Sequence, residues 1–392
     1  MKTSLRMTSS LVLLLASLLV PLPVSAQEDE SGEDDAGWGQ LIAEYGTWVS
    51  EAGGLGDNVA SIIDPINPFN TVVAGFPKGT SSEDYSRIGA ELTGNRGRLM
   101  LTWYAHDDQN RFSGRDPGNF IYGQLLAFPS FAGLSNDGLA DAFDAQRTTA
   151  LRDLKIEYSR VAFSNSRVQG RWSIGFRKVK HRTRTDATYF ALVPDFPAFV
   201  PPLVNALPDL TPLPETAEVF SSYEGTGLTG GMEFEAPIWR DKFSLEGSVG
   251  LSVLLGTSDT TYNATNHYYS LLGVVLDPPY TELGDYMLDS TGTFLIGTAV
   301  SVEQETLEVG LRSESLSRGA QVYEVSMGGR VRPLKYMDVF FGYRVHHYGG
   351  VGVELRPRNA VVSGNTINTT DASEVERSAT YRGFYGGVGF HF

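Results

Sequence analysis

Twelve segments of this chain alternate apolar and polar residues with a period of two: 69–76, 85–93, 98–106, 153–163, 168–180, 227–238, 243–256, 292–302, 307–315, 321–333, 337–347 and 381–392. That period sends successive side chains to opposite faces of a strand, so each segment has one apolar face and one polar face. In 98–106, Leu99, Leu101, Trp103 and Ala105 share one face, while Arg98, Met100, Thr102, Tyr104 and His106 share the other. Val168, Trp172, Ile174 and Phe176 stand against Gln169, Arg171, Ser173 and Arg177 in the same way, as do Tyr323, Val325, Met327 and Val331 against Glu324, Ser326, Arg330 and Arg332.

The connections sort by length. Short turns (NRG, SNSR, WRDK, EQET, PLKY) alternate with long polar or proline-rich stretches near 107–150, 182–222, 257–289 and 348–379, and KGTSSED and LSRG are short connections on the long side. Tight turns at one end and extended loops at the other are what a membrane-spanning antiparallel β-barrel requires. An aqueous sandwich would also alternate, but with its polar face outermost and its edges protected. The expectation is therefore an all-β fold, a transmembrane antiparallel barrel of about twelve strands over residues 68–392, both ends on the short-turn side. It places the chain in a bacterial outer membrane, where lipid and lipopolysaccharide are its expected partners.

The N-terminus sets the compartment. Lys2 and Arg6 precede SSLVLLLASLLVPLPV, and Val24, Ser25 and Ala26 fit a small-x-small cleavage site, so residues 1–26 read as a secretory signal. No later stretch has the roughly 18 uncharged apolar residues of a membrane helix. Residues 27–67 open with the acidic tract EDESGEDD, which reads as a disordered tail. In WGQLIAEYGTWVSE, Trp38, Leu41, Ile42, Tyr45, Trp48 and Val49 recur at helical spacing, which predicts a short amphipathic helix beneath or beside the barrel. There is no cysteine, which removes disulfides and thiol chemistry. The net charge is −15, and −17 without Lys2 and Arg6 of the signal; this argues against a nucleic-acid partner.

The chain finishes GFYGGVGFHF, with Phe384, Val388, Phe390 and Phe392 on one parity. This ending resembles the C-terminal signal of bacterial outer-membrane proteins, an aromatic last residue after alternating apolar positions. The resemblance implies recognition by the barrel-assembly machinery. DLKIEYSR at 153–160, GFRK at 175–178, YEGTGLTGGMEFEAPI and FSLEGSVGLSVLLG resemble the Legionella-type pore-forming outer-membrane family over about residues 150–256. The acidic-to-Glu-Tyr spacing is two residues longer here than in that family, and the insertion FPAFVPPLVNALPDLTPLPE is additional. This second resemblance implies a pore.

No catalytic constellation stands out, and neither a cofactor nor a metal is expected. Gly225-x-Gly227-x-x-Gly230 lies inside a strand instead of between a strand and a helix, and His346 and His347 point to opposite faces. Inward parity instead collects charge. Arg98, Lys155, Arg171, Arg177, Arg312, Arg330, Arg332 and Arg344 oppose acids that include Asp153, Glu157, Glu233, Glu235, Glu246, Glu308, Glu314, Glu324 and Asp338, with His346 among them. So many charges cannot face hydrocarbon, so the interior is wet or ion-paired. The expected function is a weakly selective porin-like pore for small solutes or ions. The alternative is a closed structural or adhesive barrel presenting long loops. Lys178, Lys180, Arg182 and Arg184 continue from Arg177 at the outer end of their strand, where they suit lipopolysaccharide phosphates.

Overall fold

The computed structural model describes residues 39–53, 58–63, 71–76, 82–94, 97–115, 120–123, 125–126, 139–165, 167–191, 214–239, 242–363 except 276–298, and 366–392. The expected signal sequence, the acidic tract, Trp38, segment 292–298 and the proline-rich insertion lie outside the described residues.

Ten strands close into an antiparallel barrel. They are β1 (Gly39–Gly53), β4 (Ser82–Gly94), β5 (Gly97–Arg115), β7 (Leu139–Ser164), β8 (Gln169–Ala191), β9 (Pro214–Trp239), β10 (Phe243–Val275), β11 (Ala299–Leu334), β12 (Met337–Gly349) and β15 (Ser378–His391). Each pairs with its neighbour in that order, and β15 returns to β1. Three further strands, β2 (Asn58–Ile63), β3 (Thr71–Gly75) and β6 (Phe120–Gly123), extend the sheet sideways from β7, in the order β3-β2-β6-β7. A separate hairpin, β13 (Val353–Ser363) and β14 (Thr366–Glu376), lies between β12 and β15.

The expected amphipathic helix is instead strand β1, which closes the barrel. Residues 39–53 pair along their length with β15 on one side and, from Gly39 to Val49, with β4 on the other. The supposed stripe splits between two faces: Ile42 and Trp48 are buried in the lumen with Gln40 and Glu44, while Tyr45 is exposed on the wall. Helical spacing arose because both faces of this strand carry apolar residues, so the contrast that marks a period of two is weak. At the seam, a side chain on Gly383 would stand 1.7 Å from the Thr47 carbonyl oxygen, so only glycine lets the two strands approach this closely.

The strand number changes with it. Of the twelve expected strands, 69–76 becomes β3 outside the ring, and the described parts of 292–302, 307–315 and 321–333 are one strand, β11, of 36 residues; adding β1 gives ten. EQET and LSRG are not turns, because β10, at 33 residues, is long enough to hold β11 in register past both. Their loop-like composition reflects strands standing in water. Between Gly256 and Ser258 the ladder skips a residue on β11, a bulge that reverses which parity faces outward.

The outward apolar belt occupies the short-turn end. On β10 it runs from Leu245 through Val249, Leu251 and Val253 to Leu255. The ten steps between them at about 3.3 Å each, tilted about 40°, give a height of about 25 Å, that of a barrel's lipid-facing band. Trp172, Ile174 and Phe176, Tyr323, Val325 and Met327, and Phe341, Tyr343 and Phe384 continue it around the wall, and Trp239, Tyr336 and Phe392 stand at its lower edge. β10 and β11 continue well above the belt, since a spanning strand needs only about 9–11 residues.

Candidate functional site

The interior is filled in three levels. Nearest the short turns is a charged cavity of about 150 Å³, room for about ten waters. Arg98, Arg171, Glu233, Glu235, Glu246 and Arg330 line it. Arg98 pairs with Glu233 and, at 3.3 Å, with Glu91; Arg330 pairs with Glu246 at 2.6 Å. Asp338, fully buried, receives Arg332 Nε at 2.9 Å and Gln40 Nε2 at 3.2 Å, with His391 Nε2 at 2.9 Å. Arg332 itself stands half out of the lumen.

Above the cavity the charges are packed tightly. Arg177 grips Asp153 through Nε, at 2.9 Å to Oδ1, and through Nη2, which also meets Glu324 at 2.9 Å; its Nη1 donates to Ser252 at 3.1 Å. Lys155 bridges Glu157 at 2.9 Å and Glu324 at 2.8 Å. Arg344 and Arg87 share Glu44, the latter at 2.8 Å, and the Tyr85 hydroxyl donates to it at 2.6 Å. Lys155, Arg177, Arg87 and Arg344 thus balance Asp153, Glu157, Glu324 and Glu44. Ligand atoms of Asp153, Glu324 and His346 lie within 4.8 Å of one another, close enough for a metal. Arg177 and Lys155 already neutralise that corner, so the arrangement fits an ion-pair network better than a cation site.

The third level is apolar. Trp48 of β1, Tyr85 of β4, Tyr104 of β5, Leu151 of β7, Val179 of β8, Tyr223 of β9, Leu254 of β10, Val322 of β11, Tyr348 of β12 and Tyr381 of β15 form one cluster, none more than 4% exposed. Every strand of the ring contributes, so the cluster spans the bore. Trp48 stacks on Tyr85 with ring centroids 4.0 Å apart and touches Tyr381 at 5.3 Å. Farther out, a second apolar core joins Val59, Ile121, Leu125, Tyr189, Val219, Tyr262 and Leu355. Here the connections fold into the mouth: Tyr189 donates to the Val59 carbonyl at 2.6 Å, Tyr262 to that of Leu125 at 2.8 Å, and Thr260 to that of Val353 at 2.8 Å.

Most of the charged residues read from the sequence as inward are brought together here: Arg98, Lys155, Glu157, Arg171, Arg177, Glu233, Glu235, Glu246, Glu324, Arg330, Asp338, Arg344 and His346. Glu324 lies directly opposite His346, as a short turn between Pro333 and Met337 requires. Glu308 and Arg312 are corrections. Both are exposed on the outer wall, opposite Thr265 and Thr261, as is Glu314, because the bulge above Gly319 reverses the parity that holds lower in β11. The reading missed Glu44, Trp48 and Arg87, two of them on the strand taken for a helix; the order Gln40, Ile42, Glu44, Gly46, Trp48 at every second position was the available signal.

Ser248 and Ser326 face each other with hydroxyl oxygens 2.7 Å apart. Cysteines at both positions are expected to crosslink on mild oxidation, with the 249/326 pair staying reduced; the opposite preference, read on a non-reducing gel, would mean the faces are assigned the wrong way round.

No family model matches the chain, so the Legionella-type resemblance gains no support, and no curated protein matches it. Among solved structures, the chain is similar to the outer membrane protease OmpT of Escherichia coli, at 8% identity over 90% of this chain and 96% of that one, with a TM-score of 0.42. It is also similar to the Pseudomonas putida toluene transporter TodX, at 10% identity over 92% and 91% with a TM-score of 0.28, and to a Pseudomonas aeruginosa FadL homologue, at 7% over 91% and 91% with a TM-score of 0.21. At such identities and scores, the likeness assigns this chain no activity.

Proposed function

We propose that this chain is an outer-membrane barrel with a sealed bore, acting through the surface it holds above the membrane and not as a diffusion pore. One observation carries the reading: an apolar layer to which all ten strands contribute and in which no side chain exceeds 4% exposure. Water does not cross such a layer as a continuous column. A ten-stranded ring is also close to the size, about eight strands, that side chains can fill. The charged cavity of about 150 Å³ is what favours a solute pore, but it ends at this layer.

The other expected partners suit the same reading. Phe384, Phe390 and Phe392 face outward on the terminal strand, with Val388 on the same parity, positioned for an assembly machinery to read before β15 joins β1. Lys178, Arg182 and Arg184 are exposed just above the belt, where lipopolysaccharide phosphates sit; Lys178 and Lys180 meet Glu224 at 2.7 and 3.0 Å. Liposomes carrying the refolded protein are expected to resist swelling in isosmotic arabinose as protein-free liposomes do. Swelling at a rate proportional to protein content would restore the pore.

A further inference from the structure

Between the sealing layer and the outer core lies a polar layer with unmet donors. Arg377 is 1% exposed and gives Nη1 to Glu354, itself 1% exposed. Among the described residues its Nε and Nη2 have no hydrogen-bond partner. These two nitrogens form the side edge of the guanidinium, with parallel N–H groups at the spacing of two oxygens of a carboxylate or phosphate; Arg177 uses the same edge on Asp153. A buried guanidinium edge without hydrogen bonds is costly, which makes it unusual in a native interior.

The surroundings add hydroxyl donors. The Arg377 amide donates to the Gly352 carbonyl at 3.0 Å, and a side chain on Gly352 would stand 2.5 Å from Ser221 Oγ. Ser221 faces Thr183 across β8 and β9; both hydroxyls are buried and have no hydrogen-bond partner among the described residues. His181, next on the same face as Thr183, is close enough to feel the charge of Arg377 and is fully buried against the Tyr381 hydroxyl at 2.9 Å. Gly350 and Gly352, with φ of 73° and 141°, turn the chain inward, so that Val351 packs into the sealing cluster and the Val353 carbonyl meets the Thr260 hydroxyl opposite Ser221.

We infer that the layer is a binding site for one small oxyanion, held by the free edge of Arg377 with the hydroxyls of Ser221 and Thr183 in the same layer. The ligand class is a carboxylate or a phosphate, since both present two oxygens to a planar fork. This goes beyond the sealed-barrel reading and stands or falls independently of whether the bore conducts.

The test avoids the problem of access to a closed layer. The chain is refolded into detergent with millimolar selenate, a tetrahedral probe, or bromoacetate, a carboxylate probe, and crystallised. An anomalous peak within hydrogen-bond reach of Nε and Nη2 is expected with at least one probe; a peak with selenate alone indicates phosphate chemistry and with bromoacetate alone a carboxylate. It should vanish in Arg377→Met/Glu354→Gln, which leaves no buried carboxylate unpaired. Should that variant not refold, Ser221→Ala/Thr183→Val keeps the ion pair and is expected to weaken binding about tenfold. Water at the fork with both probes, or an adventitious ion only, equally occupied in the variants, would overturn the inference.

Discussion

Deleting residues 39–53 abolishes the barrel. β1 holds twelve register partners on β15 and eleven on β4, so its loss leaves two long unpaired edges where the ring closes. Within hydrocarbon, unpaired backbone groups cost several kcal/mol each, and a nine-stranded sheet has no way to pair its ends in antiparallel order. The truncated chain is expected to show no heat-modifiable folded band on a gel run without boiling, and to be degraded when added protease reaches it. If β1 were instead a helix lying beside the barrel, the same deletion would leave the folded band intact.

Removing the charge of Arg177 is the second large effect. Its guanidinium is completely buried and neutralises both Asp153 and Glu324, so Arg177→Met strands two carboxylates away from water. Breaking a buried pair in this manner costs about 3–5 kcal/mol, and Asp153→Asn in the same chain should return part of that loss. The measurement is urea unfolding of the refolded barrel in lipid vesicles. A water-filled bore would screen these charges as a surface does, and the loss would then stay below about 1 kcal/mol. The experiment therefore reports on hydration of the interior as well as on the ion pair.

Much of the fold was legible because membrane strands announce their faces. β12 falls close to where its alternation put it, β5 and β8 begin where expected but run on to Arg115 and Ala191 through stretches read as loop, and Glu324 meets His346 as parity demands. Two physical causes account for what was missed. Where both sides of a strand carry apolar residues, as at Ile42 and Trp48 inside and Tyr45 outside, a period of two and a helical period cannot be told apart. Where strands rise into water, as β11 does above Gly319, the outer face turns polar and the sequence resembles loop; a one-residue bulge there reversed Glu308 and Arg312. The sealing of the bore was less legible still. Trp48, Leu151, Val179, Tyr223 and Leu254 come from five strands, and only closure of the ring shows that they meet.

The sealed layer is tested most directly by the current through the unmodified protein. Refolded barrel inserted into a planar lipid bilayer in 1 M potassium chloride is expected to give no steady conductance steps at either polarity, with insertion verified by protease protection of the belt. Discrete, ohmic steps that scale with the number of barrels inserted would contradict it, because ions cannot pass a layer closed by Trp48, Tyr223, Tyr348 and Tyr381 without displacing them.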